Sequence, residues 1–297
     1  AVIFNQANAP WGLARISQQP RLPADADATS LSYNFRYDNS AGNGVDVYVV
    51  DTGVRLTHTE FQGRARYGAT FGGYADNDGN GHGTHIAGII AGAQYGVAKR
   101  ANIIAVKVLG DDGTGTPANI IQGLQWSQQA AQQTGRPSIV FLSAIRGPRG
   151  AGAYPAIDNA VNDLVARGIH VVVAAGDQKT DACNISPARA SRAIVVAVTT
   201  ISDSKAPNSN QGPCIRLFAP GVGIISSWIG SDTAMHTLSG SAMAAAHVTG
   251  ILAGLISQSG NRPPASYGEH LRMLGLNNII SGVSDNTMNV FAQNTVA

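Results

Sequence analysis

Charge is scarce in this sequence. Asp, Glu, Lys and Arg make up only 13% of the 297 residues, and the formal net charge is +2. So small a balance leaves no electrostatic footprint for nucleic acid or an anionic membrane, and neither is expected as a partner. Apolar runs of membrane-spanning length are missing too, which points to a soluble chain. So are linkers, internal repeats and low-complexity stretches, and residues 1–297 read as one unit. Cysteines number two, Cys183 and Cys214. They permit at most one bridge, and counting alone does not separate a closed loop of about 30 residues from two buried thiols.

What the sequence has in quantity is apolar residues, 44%, and glycine, 35 residues. That mix suits a large buried sheet with many tight turns. Residues 1–40 are expected to be irregular, with Pro10, Pro20 and Pro23 interrupting any long element. Val45–Val50 has the β-branched run of a buried parallel strand and ends in Asp51-Thr-Gly53. Gly79-Asn-Gly-His-Gly-Thr-His-Ile-Ala-Gly88 is a glycine-rich turn entering a helix of small residues that reaches about Gly92. Strands are expected at 103–108, 138–142, 170–174 and 193–198, and helices at 117–134, 154–167, 242–257 and from Pro264 to about Leu274. Strand alternating with helix through short joins implies a single doubly wound, mostly parallel α/β sheet flanked by helices.

A second small-residue turn, Leu238-Ser-Gly-Ser-Ala-Met-Ala-Ala-Ala-His-Val-Thr-Gly250, feeds an apolar helix. A helix N-terminus favours developing negative charge, which suits a hydrolytic site. Asp51 alone reads as a strand-end cap, and His82 alone as a satisfied core group. Taken in order, however, Val-Val-Asp51-Thr-Gly, Gly-His82-Gly-Thr-His and Ser-Gly-Ser-Ala242-Met-Ala resemble the subtilisin-like serine proteases of the proteinase K and aqualysin type. The resemblance runs from about Ala9 to the last helix. It implies the subtilisin-like fold, with His82 as general base, Asp51 fixing its tautomer and His85 as a structural residue.

Several consequences follow from that resemblance. The cysteine contexts match a pair in the group, implying a Cys183–Cys214 disulfide and a secreted protein. Ala9-Pro-Trp-Gly-Leu-Ala-Arg-Ile-Ser17 is similar to the group's mature start, which implies that an upstream propeptide has been removed; a chain without the nucleophile needs another protease for that step, or was expressed without its propeptide. Arg216 stands where the group places a calcium-binding Asp, so no metal is expected; Asp76, Asn77, Asp78 and Asn80 read as a solvated turn. Gly113-Thr-Gly115 is similar to the substrate-edge segment, with Gly115 as a binding residue.

Four departures matter for function. Ala242 occupies the place of the nucleophilic Ser, and a methyl group cannot attack a carbonyl. Asp177, after Ala175-Gly176, replaces the Asn whose side-chain N–H helps to form the oxyanion hole; losing one such donor costs about 2.7–4 kcal/mol. Ser143-Ala-Ile145-Arg146 replaces Ser-Leu-Gly-Gly, so that Ile145 and Arg146 fill the main specificity pocket. Ser241, Ala245 and Ala246 replace Thr, Thr and Pro in the turn itself.

Three functions compete. A repurposed enzyme would use His82–Asp51 and Asp177 as an acid/base set on a small molecule, with Arg146 binding an anion. It would be an isomerase, cyclase or lyase needing no cofactor. A non-catalytic relative would bind a peptide, propeptide or partner in the old groove; set against the acid/base reading, Asp177 and Arg146 would simply pair as a salt bridge that plugs a dead cleft. A serine endopeptidase disabled at Ala242 by design would be the third. A monomer is expected in each case.

Overall fold

The computed structural model describes residues 2–145 and 150–297. The N-terminal region holds strand β1 (Ile3–Ala9), helix α1 (Trp11–Ile16) and strand β2 (Tyr33–Asp38), with β1 and β2 antiparallel. This corrects the expectation of an irregular start. Pro10 and Pro20 do punctuate the chain, but short elements fit between them, and the proline at residue 10 sits at the N-cap of α1.

The central elements follow in order: β3 (Asp46–Asp51), β4 (Ala65–Thr70), α2 (His82–Ala91), β5 (Asn102–Lys107), α3 (Pro117–Thr134), β6 (Ser138–Leu142), α4 (Pro155–Ala166), β7 (His170–Ala174), β8 (Ile194–Thr199) and β9 (Leu217–Pro220). Strands β10 (Ile224–Ser227) and β11 (Met235–Leu238) pair as a separate antiparallel ribbon. Helices α5 (Ser241–Ser259) and α6 (Pro264–Leu274) and the two-residue strands β12 (Leu276–Asn277) and β13 (Val290–Phe291) complete the set.

The nine-stranded sheet has the order β12-β13-β9-β8-β7-β6-β3-β5-β4. Only the β12–β13 pair is antiparallel. The chain leaves β3 toward β4 and β5 on one side and returns to β6 on the other, so the topology reverses at β3. Open α/β sheets place their sites outside the carboxyl ends of the strands at such a point.

Side-chain periodicity assigns the two faces of β3. Tyr48 meets Trp126 of α3 edge-on, with ring centroids 6.2 Å apart, and Val50 faces Gly123 of the same helix. Alternation therefore turns Asp51 the other way, toward the layer in which α2 and α5 pack together. Helix α3 shows why the local sequence signals work. Thr116 caps it by accepting from the Asn119 N–H at 3.2 Å, Pro117 takes the first helical position, and Gly135 ends it at φ 63°.

Helix α5 needs a correction of its own. At 19 residues it is long and apolar enough to cross a membrane by composition, contrary to the reading that no run reaches that length. It is nevertheless the central core helix, with 83% of its apolar window buried inside the fold. Cys183 and Cys214 are bonded, with Cα atoms 5.5 Å apart and 31 positions between them in sequence. A loop of that size removes roughly 3.7 kcal/mol of chain entropy from the unfolded state.

Candidate active site

The register of the central strands lines up the predicted residues. Val50 of β3 pairs with Leu142 of β6, and Leu142 with Val173 of β7. The segments that follow, from Asp51, from Ser143 and from Ala175, therefore emerge together at the carboxyl edge. The backbones of β3 and β7 lie two strand spacings apart, about 10 Å.

Asp51 is fully buried, and its Oδ1 lies 2.7 Å from Nδ1 of His82, the first residue of α2. A carboxylate only accepts, so Nδ1–H donates, and in the neutral ring this leaves the lone pair on Nε2. The His82 side chain is 28% exposed. Asp51 Oδ1 also accepts from the Thr52 N–H at 2.8 Å, while its Oδ2 is buried with no hydrogen-bond partner among the described residues.

Asp78, read from sequence as part of a solvated turn, is 7% exposed and organises the start of α2. Its Oδ1 accepts from the backbone N–H groups of Asn80 (3.0 Å) and Gly81 (2.8 Å) and from the Thr52 hydroxyl (2.9 Å). Its Oδ2 accepts from the Thr84 N–H (3.0 Å) and hydroxyl (2.6 Å). Thr52 Oγ1 in turn accepts from the Gly83 N–H at 2.9 Å. One carboxylate thus ties the residue after Asp51 to the first turn of the helix that begins with His82, replacing the side-chain cap that Gly81 cannot supply. Gly81 has φ 107°, and a Cβ on Gly83 would lie 2.0 Å from the Gly53 carbonyl oxygen. The Gly-His-Gly spacing is therefore dictated by the close approach of helix to strand end.

His85 is the structural residue expected. It is fully buried, and its Nε2 lies 3.0 Å from the carbonyl oxygens of both Ile224 and His236. Burial first, and the neighbouring His82 second, push its pKa down to about 3, so it stays neutral.

On the other side of the edge, Ser241 opens α5 and is fully buried. Its N–H donates to Asp177 Oδ1 at 2.9 Å, its hydroxyl donates to Oδ2 at 2.8 Å, and its Oγ accepts from the Gly176 N–H at 3.1 Å. Both oxygens of the half-buried Asp177 are thus engaged by the first residue of α5, and a fixed carboxylate lies on the positive end of a 19-residue helix. Ala242, the next residue, is 8% exposed. Ala175 and Gly176 are buried, the latter at φ 96°. A network from Asn210 steadies the turn: its Nδ2 donates to the Ala175 carbonyl at 2.9 Å, and its Oδ1 accepts from the Gln178 N–H at 2.9 Å.

Ser143 and Ile145 are buried, and Ile145 belongs to the apolar core. Arg146, named as an anion binder, lies outside the described residues. Gly115 is buried beyond β5, where a Cβ would lie 2.5 Å from the Val108 carbonyl oxygen. Among the described residues no group of three or more His, Cys, Asp or Glu side chains could hold a metal ion. Arg216 lies on the protein surface.

A buried Asp oriented on a half-exposed His at the carboxyl edge of a parallel sheet, with a helix N-terminus held at the same edge, defines the framework of the subtilisin-like hydrolases. Comparison with known proteins agrees. The description "Subtilase family" matches residues 42–292. The chain is 46% identical over 259 residues to the subtilisin-like serine protease Pen ch 18 of Penicillium rubens, covering 85% of this chain and 51% of that protein. It is 41% identical over 298 residues to the subtilisin-like serine protease Rho m 2.0101 of Rhodotorula mucilaginosa, covering 96% and 86%. A crystal structure of a cold adapted subtilisin-like serine proteinase superposes with a TM-score of 0.84 at 38% identity, covering 96% of this chain and 98% of that one. The chain belongs to the subtilase family and has its fold. It spans about half the length of the Penicillium relatives.

Proposed function

We propose that this subtilase-family chain has left peptide hydrolysis and works as an acid/base enzyme on a small molecule. The observation that carries the reading is the pairing of an intact Asp51–His82 dyad, 2.7 Å apart, with a helix N-terminus that bears Ala242 and is occupied by Asp177. By the resemblance of its turn, Ala242 stands at the nucleophile position. Without a hydroxyl or thiol there, no acyl-enzyme can form. Asp177 stands at the position of an oxyanion donor, so a tetrahedral oxyanion would meet a carboxylate instead.

Proton transfer needs neither of the missing parts. Neutral His82 takes a proton at Nε2 from an acidic C–H or O–H, and Asp51 stabilises the imidazolium that results. The imidazolium then returns its proton from Nε2 to a second atom of the substrate, while Asp177, whose two oxygens accept from Ser241, is the second carboxyl group of the set and accepts a hydrogen bond from the substrate. The ligand site takes in Ala175, Gly176 and Ser241 beside Asp177, Gly115 on the substrate edge, Ser143 and Ile145 from the segment after β6, and Arg146 by the resemblance alone. We further read the chain as one domain acting as a monomer without a cofactor. The disulfide suits an oxidising, extracellular location.

The test is a probe that asks only for a positioned base, the Kemp elimination of 5-nitrobenzisoxazole. The base removes the ring C–H proton as the N–O bond breaks, giving the nitrile phenolate with no co-reactant. Saturable turnover that falls about 100-fold in His82→Ala is expected. A rate unchanged by His82→Ala overturns the reading. The names of the relatives favour a second reading, a serine endopeptidase silenced at Ala242 alone. Ala242→Ser would then restore cleavage of a chromogenic peptide anilide at full family level.

A further inference from the structure

At the opposite end of the same strands a groove of about 980 Å³ opens between the start of β8, the approach to β9, and α6. It is separated from the Asp177 turn by the length of β7, about 16 Å for its five residues. Its chemistry is unlike that of the cleft. Arg192, Arg216, Arg262 and Arg272 line it, against one carboxylate, Glu269. Glu269 is already engaged by Arg272, whose Nε donates to Oε2 at 2.9 Å. The guanidinium of Arg262 sits over the Tyr267 ring, 5.8 Å from its centroid. No acidic side chain pairs with Arg192, Arg216 or Arg262 among the described residues. Three guanidinium groups without an ion-pair partner in one groove exceed the net charge of the whole chain, +2.

Ala265, Gly268, Glu269 and Arg272 all line the groove and fall at helical spacings of three and four, so one face of α6 forms its wall. From Ala265 to Arg272 that face runs about 10 Å. Apolar residues complete the lining: Val165, Ile194, Pro264 and the exposed Met288. Nothing lies within 4 Å of a Cβ placed on Gly268. Asn261 also lines the groove, and its Oδ1 is taken by the buried His170 ring at 2.8 Å, which leaves the amide N–H₂ as the group it can offer a ligand.

We propose that this groove binds an acidic peptide segment in extended conformation, its carboxylates on the arginines and an apolar side chain between them. Four guanidinium groups from separate stretches of the chain, around 192, 216 and 262–272, suit several carboxylates carried on one peptide, and four extended residues cover about 13 Å. A single anionic headgroup would engage only part of this set. The site is independent of the chemistry proposed at His82.

The experiment is calorimetric titration of the chain with the blocked heptapeptide Asp-Glu-Leu-Val-Val-Glu-Asp, beside a version carrying Lys at every acidic position and beside dodecanoate. The acidic peptide is expected to bind with a Kd of tens of micromolar, weakening several-fold as salt rises from about 50 to about 300 mM. The double variant Arg192→Gln/Arg216→Gln should bind it at least about 10-fold more weakly. Both side chains are exposed, and a thermal melt checks that the variant is folded. The Lys peptide should not bind. Absence of acidic-peptide binding, binding unaffected by the double variant (a peptide seated in the His82 cleft), or binding of dodecanoate in place of the peptide overturns the proposal.

Discussion

Replacing Asp78 by Ala tests how the dyad is held in place. The carboxylate accepts five hydrogen bonds, and four of the donors, the Gly81 and Thr84 N–H groups and the Thr52 and Thr84 hydroxyls, belong to buried residues. Each buried donor left without an acceptor costs about 1–3 kcal/mol, and water entering the vacated space recovers part of that. Taking the low end for all four, with some strain at the start of α2, gives about 4–6 kcal/mol. Unfolding entropy of about 2.1 cal/mol/K per residue gives this chain about 0.6 kcal/mol/K, so the melting temperature should drop by roughly 6–10 °C. Asp78→Asn keeps one acceptor oxygen but faces the Thr84 donors with an N–H₂ group, and should cost about half as much. The assay is urea unfolding with a refolding check, alongside the Kemp rate, which should fall as His82 loses its fixed position. A loss below about 1 kcal/mol in Asp78→Ala would refute the assignment of Asp78 as the organiser of the α2 start.

Other predictions are briefer. Ser241→Ala leaves the Gly176 N–H without its acceptor and removes one donor from Asp177, and should destabilise by about 2–3 kcal/mol in the same urea titration. Cys183→Ser with Cys214→Ser should cost roughly 3.7 kcal/mol, with the oxidised chain losing as much on reduction; unchanged midpoints would count against the entropic role of the bond. His85 and His247 are buried with pKa values lowered to about 3 and about 4, burial being the first cause in each. Their folded values lie below the unfolded value near 6.5. Their contribution is therefore complete above that pH and is lost as pH falls toward 3–4, at about 1.4 kcal/mol per unit for each group. Stability should decline by about 3 kcal/mol between pH 6.5 and 5, since the unfolded rings are only half protonated at 6.5, and a flat urea midpoint across that interval would contradict the buried neutral state of the two rings.

Much of this was legible in the residues themselves. The β-branched run before Asp51 gave away the strand, and Pro117, Thr116 and Gly135 mark both ends of α3 to the residue because cap chemistry is local. The first forty residues were misread because β1 carries no alternation: six of its seven residues are at least partly exposed, and it is held by backbone pairing with β2. Asp78 was misread because a polar turn looks the same whether its carboxylate faces water or a helix start, and only the folded backbone brings Thr52 and Thr84 to it. A side chain three positions before an uncapped Gly at a helix start is the signal that was available. The hold of Ser241 on Asp177 joins residues 64 positions apart and was likewise out of reach of local pattern. The arginine groove draws on five separate stretches of the chain that no periodicity connects.

The most direct measurement of the central claim is peptide-anilide hydrolysis by the unmodified chain, by Ala242→Ser, and by Ala242→Ser with Asp177→Asn. With a carboxylate on the N-terminus of α5, the single reversion should remain at least about 100-fold below a relative of the family, from the loss of one oxyanion donor alone. Only the double variant should gain appreciably on it. Family-level cleavage from Ala242→Ser by itself would contradict the acid/base reading and identify an ordinary protease lacking one oxygen atom.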